Sequence, residues 1–111
     1  MKTKIECIKF ITYLNERAIT NFNEAIMRLQ TNGKEFTWVA ETIIKTSFKK
    51  DFYGRMLIAL HEQSTDVVIK SFVDQLKKQH YISKSSCQFD MIEGVFQLET
   101  KYEILSEFKH L

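Results

Sequence analysis

The sequence predicts a mainly α-helical α+β protein: a helical domain with a C-terminal β-hairpin, a long N-terminal helix and a short C-terminal helix. Apolar residues recur every three or four positions through most of residues 3 to 78, which is the helical period. In the stretch CQFDMIEGVFQLET, residues 87 to 100, apolar and polar residues alternate instead, as in a half-buried strand. A chain of 111 residues suits one core, so residues 1 to 111 are predicted to form a single domain.

Residues 1 to 33 are predicted to form a helical segment. Asn21 followed by Glu24 resembles a capping box, so the segment is either one long helix or two short helices in line. A single helix of about 29 residues would span about 43 Å, more than a domain of this size readily covers, so part of its apolar stripe should contact another chain. The stripe comprises Ile5, Ile8, Ile11, Leu14, Ala18, Phe22, Ala25, Ile26 and Leu29.

Three further helices are predicted between residues 37 and 79. The second begins at Thr37 and ends near Lys49 and Lys50, because lysines suit a helix C-terminus. Asp51 can then cap the third helix, and Thr65 can cap the fourth. The fourth helix is expected to turn one apolar face inward, with Val68, Ile69, Phe72, Val73 and Leu76.

The alternating segment predicts a hairpin in which Glu93 and Gly94 form a two-residue turn. This register pairs Phe89 with Leu98 and places one apolar face on the helices. Residues 101 to 111 then form the short terminal helix. The two cysteines, Cys7 and Cys87, lie far apart without metal-site spacing, and both are expected to be small buried hydrophobes.

This order of elements resembles a winged helix-turn-helix domain, with residues 37 to 100 as its core. The residues that carry the resemblance are LIALHEQSTDVVIKSFVDQLKKQHYI, 57 to 82, followed by the hairpin as the wing. Ile58 and Ala59 are similar to the apolar pair of a positioning helix. Ile69, Val73 and Leu76 are similar to the core stripe of a recognition helix.

The resemblance implies a non-enzymatic transcriptional regulator that binds duplex DNA as a homodimer, with residues 1 to 33 as the dimerisation segment. Residues 64 to 86 hold four lysines and two aspartates, a local charge of +2. The predicted DNA-binding residues are Thr65, Lys70, Ser71 and Gln75, for base or phosphate contacts, and Lys77, Lys78 and Lys84, for the backbone.

Two alternatives stay open. The last 25 residues hold five acidic and two basic side chains, a charge of 2 − 5 = −3, which opposes contact between a wing and phosphates. An adaptor or inhibitor that binds a basic protein through Asp90, Glu93 and Glu99 is therefore the second hypothesis. A purely helical interaction protein is the third.

No pattern indicates enzymatic chemistry. The three glycines are isolated, so no phosphate-binding loop is present in the sequence, and no histidine has the spacing of a metal site. We expect no catalytic activity, no cofactor and no metal. Glu6 and Lys9 interrupt the N-terminal apolar stretch, and no run approaches the roughly 20 apolar residues of a membrane span. A cytoplasmic location without membrane contact is therefore predicted.

Overall fold

The structure, a computed structural model, describes residues 3–31, 36–78 and 88–111. Within these ranges it describes all side chains except those of residues 30, 31, 36, 37, 88–93 and 110. These ranges form four successive α-helices: α1 (Lys4–Thr31), α2 (Phe36–Glu62), α3 (Thr65–Lys78) and α4 (Gln88–Glu107). A 3₁₀ turn, Phe108–His110, ends the chain. The helical character predicted from the sequence is confirmed, and the described ranges contain no strand.

Helix α1 is one continuous helix, which decides between the two alternatives left open above. Thr3 caps it, because its Oγ1 accepts a hydrogen bond from the Glu6 N–H at 3.2 Å and its carbonyl accepts one from Cys7 at 2.9 Å. Glu24, the second residue of the apparent capping box, instead pairs with Arg28 one turn later at 2.9 Å.

Helices α1 and α2 pack side by side in opposite directions. Lys4 at the start of α1 donates a hydrogen bond to the carbonyl of Gln63 just beyond the end of α2, at 3.0 Å. Near the other end of the pair, the Cζ of Arg28 lies 4.8 Å from the centre of the Trp38 ring. The helices therefore form an antiparallel pair along almost their whole length.

This pairing removes the argument that α1 needs another chain. Helix α2 has 27 residues and α1 has 28, so α2 is long enough to cover the α1 stripe. Only the ends of the predicted stripe are exposed, Ile5 at 67% and Leu29 at 42%. The predicted homodimer stays a prediction. The α1 side chains buried in the structure are Cys7, Ile11, Leu14, Ala18 and Ala25.

The predicted break near residue 50 is wrong, because α2 runs through it. The charged residues that resembled helix ends have other roles. Lys49 pairs with Glu103 of α4 at 2.9 Å, and the Nζ of Lys50 lies 4.0 Å from the centre of the Phe22 ring of α1. Asp51, predicted as a cap, pairs with Arg55 one turn later at 3.0 Å.

Helix α3 begins within one residue of the predicted start and folds back over α2. The carbonyl of Ser64 accepts a hydrogen bond from the Val68 N–H at 3.1 Å, so Ser64 occupies the cap position, one residue before the predicted Thr65. The Phe72 ring meets the Phe52 ring edge-on at 5.3 Å. The predicted inward face is confirmed: Val68, Phe72 and Leu76 are buried, and Ile69 and Val73 are partly buried against the core.

The predicted hairpin is wrong, and with it the α+β fold class and the winged-helix core at residues 37 to 100. Residues 88 to 107 form α4, and Glu93 and Gly94 lie inside this helix. The Thr100 hydroxyl donates to the Phe96 carbonyl at 2.7 Å, a contact of adjacent helical turns. The separate terminal helix predicted at residues 101 to 111 is instead the last part of α4 with its 3₁₀ turn.

Packing against α2 explains why this segment is helical. Gly94, Lys101, Ile104 and Phe108 are buried and recur at helical spacing, so they form one face only if the whole segment is a helix. The α4 helix runs parallel to α2, since Lys45 pairs with Glu99 and Lys49 with Glu103, both at 2.9 Å. A two-stranded hairpin is only marginally stable by itself, whereas a helix satisfies its own backbone and uses this face.

All four helices share one core around α2. Phe52, Tyr53, Met56 and Leu60 of α2 are at most 2% exposed and lie in a buried cluster with residues of α1, α3 and α4. The molecule measures 44 × 33 × 21 Å, with a radius of gyration of 15.4 Å. A compact chain of this length has a radius near 13 Å, so the molecule is elongated along its two long helices.

Two substitutions in α4 distinguish the helix from the hairpin. Leu98→Ala should cost less than about 1 kcal/mol of unfolding free energy, because Leu98 is 38% exposed on the outer side of α4. Ile104→Ala should cost about 2 to 5 kcal/mol, because Ile104 is 0% exposed. Urea denaturation of both variants gives the two values, and a larger loss for Leu98→Ala would support the hairpin.

Candidate functional site

The predicted DNA-binding residues of α3 lie mainly on one exposed side of the helix. Val67, Lys70, Ser71, Asp74, Gln75 and Lys78 line one open groove along α3. They are spaced three or four residues apart, so the helical repeat brings them to one side. Lys77 is also exposed and lies at the border of this side. We call Lys70, Ser71, Gln75, Lys77 and Lys78 the α3 lysine face.

Two predicted residues are not part of this face. Thr65 is only partly exposed and lies two turns before the buried Phe72, on the inward side of α3. Lys84 lies outside the described residues. The structure therefore brings together five of the seven predicted DNA-binding residues.

The charge of the α3 lysine face is modest. Lys70, Lys77 and Lys78 are exposed, and none of them takes part in the ion pairs between described residues. Asp66 and Asp74 lie among them, each one turn from Lys70. Three positive and two negative charges leave +1 for this side of α3. The arrangement can contact anions, but Asp74 would weaken that contact.

The acidic residues of the second hypothesis do not form a hairpin surface. Asp90 and Glu93 belong to α4, but their side chains lie outside the described part of the structure. The carboxylate of Glu99 pairs with Lys45 of α2 at 2.9 Å, and its side chain stays 50% exposed. Glu99 therefore links two helices as well as facing solvent.

An ion-pair cluster between α2 and α4 is the most connected polar feature of the described residues. The Nζ of Lys45 contacts carboxylates of Glu41 at 3.0 Å, Glu99 at 2.9 Å and Glu103 at 3.2 Å. Lys49 binds the other oxygen of Glu103 at 2.9 Å. The side chains of Lys45 and Lys49 are 17% and 25% exposed, so solvent screens this cluster less than an isolated surface pair. We call these five residues the α2–α4 ion cluster.

The pKa values of two members follow from these contacts. Burial by itself lowers the pKa of Lys45, but hydrogen bonds to Glu99, Glu41 and Glu103 outweigh it, and the pKa of Lys45 is raised. Partial burial by itself raises the pKa of Glu103, but Lys49 and Lys45 outweigh it, and the pKa of Glu103 is lowered. These contacts therefore hold Lys45 and Glu103 in their charged forms.

Sequence reasoning missed this cluster and a second feature of α4. Val95, Leu98 and Tyr102 are 53%, 38% and 61% exposed and recur at helical spacing on the side opposite the core. We call them the α4 apolar stripe. A helical interpretation of residues 88 to 107 would have found the α4 apolar stripe, because its three residues share one side of a helix. The ion cluster also depends on how α2 and α4 pack together.

Within the described ranges, no group of three histidine, cysteine, aspartate or glutamate side chains could hold a metal ion. None of the described helices is long and apolar enough to cross a membrane. Cys7 is buried, as predicted, and Cys87 lies outside the described residues.

Comparisons of this chain with protein-family models, with curated proteins and with solved structures found no match.

The ion cluster predicts a specific dependence of stability on pH. Because the folded pKa of Glu103 lies below its ordinary value of 4.5, the stability it contributes is present above that value and is lost as the pH falls through the folded pKa. The unfolding free energy of the natural chain should exceed that of Glu103→Gln near neutral pH. This difference should shrink below about pH 4.

Chemical denaturation of both proteins across this pH range measures the difference. Glu24→Gln is the matched control, because among the described residues Glu24 pairs with Arg28 inside α1, and both side chains are about half exposed. A difference for Glu103→Gln that stays constant as the solution is acidified would contradict the assignment.

Proposed function

We propose that this chain is a non-enzymatic protein that binds duplex DNA through the α3 lysine face. The observation that carries the proposal is the presence of three exposed lysines with Ser71 and Gln75 on neighbouring positions of one helix. Lysines position a helix on phosphates, and hydroxyl and amide groups can hydrogen-bond to base edges. A role in transcriptional regulation belongs to the same proposal.

The mode of binding differs from the one expected at first, because no hairpin wing accompanies α3 in the described residues. Contact therefore depends on α3 alone, which has 14 residues and an exposed outer side. A net charge of +1 on that side favours weak, salt-sensitive binding. A homodimer would present two such helices and raise the affinity, and this second copy is also a proposal.

Substitutions on α3 should change DNA affinity in opposite directions. Lys70→Ala with Lys77→Ala should weaken binding and reduce the slope of log affinity against log salt by about 2, one for each lost phosphate contact. Asp74→Asn should strengthen binding by about threefold, because it removes a negative charge from the side of α3 that would face the phosphates. Fluorescence anisotropy of labelled duplex DNA at several salt concentrations measures both effects.

The matched control is Lys9→Ala with Lys109→Ala, which removes the same charge from exposed positions outside α3. It should change the affinity less than the α3 double variant does. Equal affinity of the natural chain and the α3 double variant would exclude the α3 lysine face as the binding surface.

A second candidate function is supported by the α4 apolar stripe. Three exposed apolar side chains on one side of a helix are typical of a docking surface for another protein. Glu99 borders the stripe and its side chain is 50% exposed. We propose that a partner protein binds the α4 apolar stripe through a surface with apolar residues next to lysine or arginine. This partner is the basic protein of the adaptor hypothesis.

Site-specific photo-crosslinking tests this second candidate. A photoreactive residue in place of Leu98 should trap a basic protein, and adding Glu99→Gln should reduce the yield at low salt because it removes the complementary charge. The control places the same residue at Ile58, which is 63% exposed on α2. Equal adducts at both positions, or an adduct of two copies of this chain, would contradict the proposal.

A further inference from the structure

A small polar cavity lies where α1, α2 and α4 meet, away from the α3 lysine face. Its volume is about 40 Å³, room for about three water-sized groups. The hydrophobic residues Leu14 and Ala18 form part of the wall, but most of the lining is polar. The polar residues are Arg17 and Asn21 of α1, Thr46, Lys49 and Tyr53 of α2, and Glu107 of α4.

The helical repeat explains why these residues converge. Leu14, Arg17, Ala18 and Asn21 are three or four residues apart, so they lie on one side of α1. Thr46, Lys49 and Tyr53 have the same spacing on α2, the central helix. The last turn of α4 then brings Glu107 to the same place. The cavity is therefore built by three rigid elements.

Tyr53 connects the charged groups around the cavity. Burial raises the pKa of Tyr53, Glu107 raises it further, and Arg17 acts in the opposite direction. The phenol therefore lies within electrostatic reach of both charged side chains. Neither Arg17 nor Glu107 takes part in the ion pairs that the described residues form. Lys49, by contrast, is held by Glu103 at 2.9 Å.

The donors and acceptors of the lining define the chemistry of a ligand. The guanidinium of Arg17, the amide of Asn21 and the hydroxyl of Tyr53 can donate hydrogen bonds, whereas the carboxylate of Glu107 can only accept. The Thr46 hydroxyl already donates to the Thr42 carbonyl at 2.7 Å. A matching ligand is small, has several acceptor oxygens and carries one proton that it can donate.

We propose that this cavity binds a protonated phosphate group, with Arg17 and Tyr53 donating to its oxygens and Glu107 accepting its P–OH proton. Arg17 supplies the planar donor pair that suits a phosphate. Sulfate has the same shape and charge but no proton near neutral pH, so one of its oxygens would face the Glu107 carboxylate unpaired. The site should therefore prefer phosphate over sulfate.

Isothermal titration calorimetry with inorganic phosphate and with sulfate, at equal ionic strength and neutral pH, tests this site. Phosphate should bind with an affinity about tenfold or more above that of sulfate, because a sulfate oxygen that faces the Glu107 carboxylate lacks the charged hydrogen bond that the P–OH group donates. Arg17→Gln should weaken phosphate binding by about tenfold or more. Glu107→Gln should bring the two affinities together, because an amide can donate to sulfate.

Two control variants keep the outcome interpretable. Arg55→Gln removes an exposed arginine that pairs with Asp51 outside the cavity, and it should leave phosphate binding unchanged. Lys70→Ala with Lys77→Ala should also leave it unchanged, which separates this site from the proposed DNA contact. No phosphate binding by the natural chain, equal affinities for phosphate and sulfate, or an unchanged affinity in Arg17→Gln would overturn the proposal.

Titration with glycerol phosphate distinguishes a site for free phosphate from a site for the phosphoryl group of a larger molecule. Binding of inorganic phosphate alone would support a site for the free ion. Binding of both would support a site for the phosphoryl group of a small metabolite whose remaining part leaves through the open side of the cavity. Either result supports a phosphate site, and binding of neither contradicts it.

Discussion

The fold depends on the packing of two adjacent aromatic residues, Phe52 and Tyr53, in the middle of α2. The Phe52 ring meets Phe72 of α3 at 5.3 Å and Phe108 beyond α4 at 6.0 Å. The Tyr53 ring lies 6.3 Å from Phe108 and shares a cavity wall with Leu14 of α1. Because rings of this size dominate core energetics, these contacts fix where α1, α3 and α4 lie. The orientation of every proposed surface follows from them.

Charge has three different roles in the described structure. Between α2 and α4, Lys45 and Lys49 are drawn into contacts with three glutamates and align the two helices in parallel. On α3, Lys70, Lys77 and Lys78 stay exposed, which leaves them available to an anionic partner. At the α1–α2–α4 junction, Arg17 and Glu107 face a common cavity. The same residue types therefore serve packing, surface recognition and a candidate ligand site, according to their burial and neighbours.

Helix α3 was predictable because its signals are local. Its apolar residues keep one strict period, Ser64 and Thr65 mark its start, and Asp66 and Lys78 suit its two ends. The continuity of α2 across residue 50 was not predictable, because Lys49 and Asp51 resemble helix ends when their partners in space are unknown. The sequence predicted a hairpin in place of α4 because a Glu-Gly pair within alternating residues resembles a turn. Contact with α2, which joins residues far apart in the sequence, favours the helix instead.

The difference between local signals and long-range contacts also applies to the candidate sites. The α3 lysine face lies within one helix, so helical spacing alone predicts most of it. The ion cluster and the polar cavity join residues more than 50 positions apart, for example Lys45 with Glu103, and depend on the parallel packing of α2 and α4. Sequence periodicity carries no information about that packing, so neither site could be found before the fold was known.

Nuclear magnetic resonance of residues 94 to 111 in the intact protein shows most directly whether α4 is a continuous helix docked on α2. We expect an unbroken series of helical Cα chemical shifts from Gly94 to Glu107, together with a nuclear Overhauser effect between the rings of Tyr53 and Phe108, whose centres are 6.3 Å apart. Strand-like shifts around Phe96 and Leu98, without any contact between Phe108 and α2, would contradict it. That result would also remove the ion cluster and the polar cavity, since both need α4 docked on α2.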